Sequence, residues 1–88
     1  MGREIWKFPV TIGLWTEKIP SSAKFLSVQM QDLSPQMWWL IDPSAPTELF
    51  KFIIVGTGQP LPDDTDEWTY LGSFIDGFFV WHLFQVKP

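Results

Sequence analysis

Nowhere between its eight prolines and six glycines does this chain sustain an apolar 3.6-residue period for three turns. A helical core is therefore closed to it, and short strands must carry the fold. Residues 3–8 alternate, with Ile5 and the stem of Lys7 on one side and Glu4, Trp6 and Phe8 on the other, until Pro9 interrupts the ladder. A second extended piece is read over 10–14, and Ile19-Pro20-Ser21-Ser22 marks 15–22 as a loop. Residues 24–31 alternate again, with Leu26, Val28 and Met30 toward the core and Ser27, Gln29 and Gln31 toward water.

Ser34-Pro35 reads as a turn, and the strand at 37–41, apolar on both faces, ends at Asp42-Pro43. Residues 48–55 form the longest strand, with Phe50, Phe52 and Ile54 sharing one face. Residues 56–64 are the longest irregular segment, and 68–74 and 78–86 close as a hairpin turned at Ile75-Asp76-Gly77. About six short strands with turn chemistry between them predict an all-β fold, a small antiparallel sandwich or open barrel in one domain over 1–88, with room for one minor helix.

Composition enters where burial is counted. A monomer of 10.2 kDa keeps about 5,300 Å² of the roughly 14,800 Å² its unfolded chain exposes, which leaves one thin core. Six Trp, eight Phe and one Tyr must share that core. The strands at 37–41 and 78–86 are apolar on both faces, so a second sheet or a second subunit must cover them, and a homo-oligomer is expected.

Several function classes fall away. Without Cys there is no disulfide, thiolate nucleophile or Cys-bound zinc, and one His allows no His-rich metal site, so no metal and no cofactor is expected. No apolar run approaches the ~20 residues of a spanning helix, so no membrane partner is expected. The start Met-Gly-Arg-Glu-Ile-Trp-Lys has no apolar run of a signal peptide and no Ser or Thr at position 6 for myristoylation. A net charge of −4 speaks against generic binding to DNA or RNA.

The candidate site residues are read for binding, with none assigned to catalysis. Thr57, Gly58 and Gln59 follow a strand and offer backbone N–H groups suited to an anion nest, although the Lys and spacing of a Walker loop are absent; the other reading is a tight turn. Trp6, Trp38 and Trp39 are candidates for stacking on a nucleobase, with core packing as the alternative for each. Arg3, Lys7 and Lys51 are the strand-held cations that can meet a phosphate or simply guard an edge. His82, inside an apolar strand, is a ligand contact or a structural imidazole. The acidic run Asp63-Asp64-Thr65-Asp66-Glu67 lacks the offsets of a calcium loop and reads as a solvated connector.

Four blocks add a resemblance: Ile5-Trp6-Lys7-Phe8-Pro9, Ala23-Lys24-Phe25-Leu26-Ser27-Val28-Gln29, Gly56-Thr57-Gly58-Gln59-Pro60-Leu61-Pro62, and Tyr70-Leu71-Gly72-Ser73-Phe74 leading to Val80-Trp81-His82-Leu83-Phe84, with Trp38 and Asp42-Pro43 between them. The chain resembles a family of short, mostly phage-encoded proteins of unknown function. The resemblance implies a phage or prophage origin and action in the host cytoplasm, with host immunity as the target by association. The resulting expectation is a non-catalytic homo-oligomer that sequesters a small nucleotide-like ligand, a host immune signal. The alternatives are a protein–protein inhibitor of a host defence protein and, last, a nucleotide-degrading enzyme using His82.

Overall fold

A computed structural model of the chain describes residues 2–86 and contains seven antiparallel strands in two sheets, with no helix among the described residues. The strands are β1 (Glu4–Pro9), β2 (Leu14–Pro20), β3 (Lys24–Gln31), β4 (Ser34–Ile41), β5 (Thr47–Gly56), β6 (Thr69–Asp76) and β7 (Phe79–Val86). One sheet has the order β1-β4-β3 and the other β2-β5-β7-β6; neither closes into a barrel, and the two pack as a sandwich. Among the described residues no helix is long and apolar enough to cross a membrane.

The core forms where the alternating residues of the two inner faces meet. Met37, Trp39 and Ile41 of β4 face Phe50, Phe52 and Ile54 of β5, and Ile19, Phe74 and Leu83 complete the cluster. Trp39 stands at its centre, with the rings of Phe25 and Phe50 meeting it edge-on at centroid distances of 5.3 and 5.5 Å. That arrangement suits the ring quadrupoles. The expected face of the longest strand is thus the inner face of β5, and the strand at 37–41 is the middle of its sheet.

Five local readings need correction. Residues 15–22 are not a loop: most of them form β2, an edge strand on which Pro20 is the last residue and interrupts no ladder. Residues 10–13 are instead the bend before it, made at Gly13 with φ +79°, and Leu14 opens β2. The turn between β3 and β4 is Asp32-Leu33, and Ser34-Pro35 opens β4.

Leu26 points away from the core because a bulge between Phe25 and Ser27 inserts one residue, so Phe25 faces in before the bulge and Val28 and Met30 after it. The closing hairpin turns one residue later than expected, through Gly77 at φ +63° and Phe78, with Asp76 paired to Phe79.

The second cover for β7 is partly the chain itself. The connection from Thr57 to Trp68 runs to the outer face of its sheet, where the Trp68 ring lies 5.5 Å from that of Phe84 and Leu61 borders the same small recess as Val55 and Phe84. Where the sheets converge at the other edge, Gly72 of β6 faces Val28 of β3: a Cβ at position 72 would sit 3.2 Å from a Val28 methyl carbon. Close packing of the two strands therefore favours the residue without a side chain.

Candidate functional site

The ten site residues expected from the sequence divide between two places in the fold, with three outliers. Paired residues of an antiparallel ladder share a face. Lys7 of β1 pairs with Trp38 of β4, and Trp38 in turn with Ser27 of β3; one step along, Ile5, Leu40 and Lys24 line up in the same way. The core occupies the other side of this sheet, so Lys7, Trp38 and Lys24 lie on its outer, solvent-facing surface.

Nζ of Lys7 donates to Oε1 of Gln31 at 2.6 Å, a bond that spans β4 from one edge strand to the other and holds the cation over this face. Arg3 continues the Ile5–Lys7 side of β1 just before the strand begins. Three of the five described cations thus gather along one sheet of a chain with net charge −4.

Asp42 ends the same face of β4. Its carboxylate accepts from the hydroxyl and the backbone N–H of Ser44 at 2.7 and 3.0 Å. These bonds hold its pKa below the ordinary carboxylate value, with Arg3 a lesser contributor.

Trp6 and Trp39 do not join this surface. Trp6 pairs with Trp39 and so sits on the opposite side of β1 from Lys7, half-exposed beside Phe8, with its indole N–H donated to the Glu4 carboxylate at 2.8 Å. Trp39 is 2 % exposed. Its ring is closed in by the core, so a ligand has no access to it and the packing reading holds for this residue.

The second place is the outer face of the β5–β7 pair. Thr57, just past β5, places Oγ1 2.7 Å from Nε2 of His82, while Nδ1 of His82 lies 2.9 Å from the Tyr70 hydroxyl. The Thr57 hydroxyl donates its only proton to the Val80 carbonyl at 3.3 Å. Oγ1 then accepts from Nε2–H, which leaves Nδ1 to accept from Tyr70. Both ring nitrogens thereby have a hydrogen-bond partner. The chain Tyr70–His82–Thr57 fastens the long connection to the sheet.

The nest expected at 57–59 is not assembled. The N–H groups of Thr57 and Gln59 donate to Val80 O and Gly56 O, both at 3.0 Å. The Gln59 side chain turns back to accept from Gly56 N–H at 2.6 Å. Gly58 takes φ +91°, so the tight-turn reading of the glycine stands. Lys51 is apart from both places, on the outer face of β5 between Thr16 and Val86.

Beyond this loop lies a cleft of about 630 Å³ lined by Gly56, Thr57, Gln59 and the stretch from Phe78 to Trp81. It has no charged side chain in its wall. Among the described residues no three His, Asp or Glu side chains come together as a metal site.

Sequence reading missed Tyr70 and Lys24, and it put Phe78 in the last strand, whereas Phe78 lies in the turn before it. Lys24 was visible as a cation in an alternating strand, but its face depends on the Leu26 bulge. Tyr70 reaches His82 only because a second bulge, between Tyr70 and Gly72, shifts the β6–β7 register by one. A glycine inside a strand was the available sign.

No curated protein and no solved structure matches this chain. A family model covers all of it: the chain belongs to the family described as Domain of unknown function (DUF7352), which matches residues 1–88.

Proposed function

We propose that this protein is a non-catalytic binding module that holds a small, anionic, aromatic ligand of nucleotide type on the outer face of the β1-β4-β3 sheet. The observation that carries the reading is the direct pairing of Lys7 with Trp38 on a solvent-facing surface that also holds Lys24. An indole face accepts a base by stacking, worth ~1–3 kcal/mol. The flanking ammonium groups meet phosphate charge, and the amide side chains of Gln29 and Gln36, paired on the same face, offer donors and acceptors for base edges.

The acidic run 63–67 belongs to the connection on the other sheet, which leaves Asp42, at the end of the face beside Arg3, as the carboxylate nearest these cations. The resemblance to phage proteins extends the reading to a biological role: sequestration of a nucleotide-derived immune signal in the cytoplasm of a bacterial host. A protein–protein inhibitor of a host defence protein is the second reading, supported by the exposed aromatic side chains at the β6–β7 tip.

The test is calorimetric titration with mononucleotides and cyclic dinucleotides, followed by heat release and chromatography of the bound material. The expected result is saturable binding, recovery of intact ligand, and a loss of roughly 5- to 150-fold in affinity for Trp38→Ala, the range that one stacking contact spans. Absence of binding to every nucleotide, or affinity indifferent to both Trp38→Ala and Lys7→Ala, overturns the reading. Recovery of cleaved ligand replaces it with an enzyme.

A further inference from the structure

The turn of the β6–β7 hairpin carries an aromatic side chain that nothing in its own chain covers. Gly77 at φ +63° throws the next residue outward: Phe78 is fully exposed, Phe79 is 68 % exposed, and Ile75, on the facing strand, 66 %. The Phe78 ring itself borders the uncharged 630 Å³ cleft, whose wall also includes Phe79, Val80 and Trp81. We infer that two copies of this chain join at this end as a two-fold dimer, in which Phe78 of each copy enters the cleft of the other.

Three arguments favour a second copy over other occupants. The first is self-complementarity. Projection and recess adjoin on one end of one molecule, so a two-fold rotation brings each projection to the other's recess and leaves neither exposed, which is the closed, isologous arrangement. A foreign protein needs only one of the two features.

The second argument is area. Taking about 200 Å² for a whole Phe side chain, the residues Phe78, Phe79, Ile75 and Val80 expose about 500 Å² per copy. With all of it covered, two copies remove at most about 1,000 Å² from these residues, which reaches the lower bound for a specific interface. The chain as a whole shows 5,937 Å² of accessible surface, against about 5,300 Å² for a monomer of its mass, an excess of the same order as the tip.

The third argument is charge. The acidic run leads into β6 at the end of that strand opposite the hairpin, and Asp76 is the only carboxylate the hairpin itself carries. A nucleotide finds no cation in the cleft to balance its phosphate, so this site is independent of the cationic face on the other sheet.

Sedimentation equilibrium on the full chain, over a range up to about 200 µM, is the test, because a useful dimer dissociates well below that limit. The wild type is expected to reach twice its 10.2 kDa mass. Phe78→Ser should weaken the dimer by at least about tenfold, as loss of a central aromatic anchor does. Phe78→Leu should keep most of the association. Circular dichroism and the denaturation midpoint of the dilute monomer should be unchanged in both variants, since Phe78 packs against nothing in its own chain. A wild type that stays monomeric throughout, a dimer indifferent to Phe78→Ser, or species that grow beyond the dimer with concentration each overturns the inference.

Discussion

Oγ1 of Thr57 lies 2.7 Å from Nε2 of His82, and this contact joins the start of the longest irregular connection to the middle of a central strand. The imidazole is held from its other side by Tyr70 on β6, so three elements share one hydrogen-bonded line. A loop that contains three prolines and glycines within its first six residues, 57–62, is pinned by side chains because its own backbone cannot build a ladder.

Removing that pin should loosen the connection without unfolding the sandwich. Thr57→Val keeps the shape of the side chain and deletes the hydroxyl, leaving the His82 ring N–H without a partner in a half-exposed site. The expected loss is about 1 kcal/mol of global stability, with faster amide hydrogen exchange confined to 57–68. Denaturant titration and exchange measured together check it. Unchanged exchange in this segment would show that the line does not fasten the loop.

Trp38 and Trp39 are neighbours in sequence with opposite environments, and substitution should separate them. Trp39→Ala empties the centre of the core and is expected to cost about 3–5 kcal/mol. Trp38→Ala acts on the solvent-facing side and should cost far less, while removing the proposed stacking surface.

Trp39→Phe is the informative intermediate. The indole N–H of Trp39 is buried with no partner, so phenylalanine relieves about 1–3 kcal/mol of unmet desolvation while it opens a smaller void. Trp39→Ala removes the same N–H, so the net cost of Trp39→Phe should fall below it by the smaller void, and below the cost of an equal loss of purely apolar volume elsewhere in the core. Thermal and urea unfolding of the three variants test the order.

The reach of sequence reading follows from the same residues. The inner face of β5 was legible because Phe50, Phe52 and Ile54 repeat with a period of two in a strand with no bulge. The core position of Trp39 was not, since a middle strand that is apolar on both faces gives periodicity nothing to distinguish. β2 was hidden by Pro20, whose harmlessness depends on its being the last residue of an edge strand, a fact of topology rather than of local sequence. The pairing of Lys7 with Trp38 and the meeting of Tyr70 with His82 depend on register, and in the second case on a bulge. The existence of six of the seven strands was therefore readable from the chain, whereas β2 and the faces and partners that define a site were set by long-range pairing.

Ser22, in the tight turn between β2 and β3, adopts φ 68°, the left-handed region. An L-residue there carries roughly 1–2 kcal/mol of backbone strain. Glycine removes that strain and returns part of the gain as extra freedom of the unfolded chain, roughly 0.5–1 kcal/mol. Ser22→Gly should thus raise stability by a few tenths to about 1 kcal/mol. Gly58→Ala, at φ +91° with open space around it, should do the reverse. A lower midpoint for Ser22→Gly in urea would contradict the assignment of strain to this turn.

Glu17 supplies a pH-dependent prediction whose sign can be worked out. It pairs with Phe50 and so lies on the inner face of β2, where burial raises its pKa above the ordinary 4.5. The folded state then holds the proton to a higher pH than the unfolded chain does, and between the two values the native protein binds more protons. Stability falls as pH rises through that window. The cost of Glu17 is absent below the unfolded pKa and complete above the folded one. Glu17→Gln, which cannot ionise, should therefore match the wild type at about pH 4 and be the more stable protein at pH 7. Because the side chain is largely in contact with water, screening keeps the gain within about 0.5 kcal/mol. Denaturation midpoints of both proteins across this range decide the point: a gap that widens toward acid would mean that Glu17 is stabilised by a charge partner rather than penalised by burial.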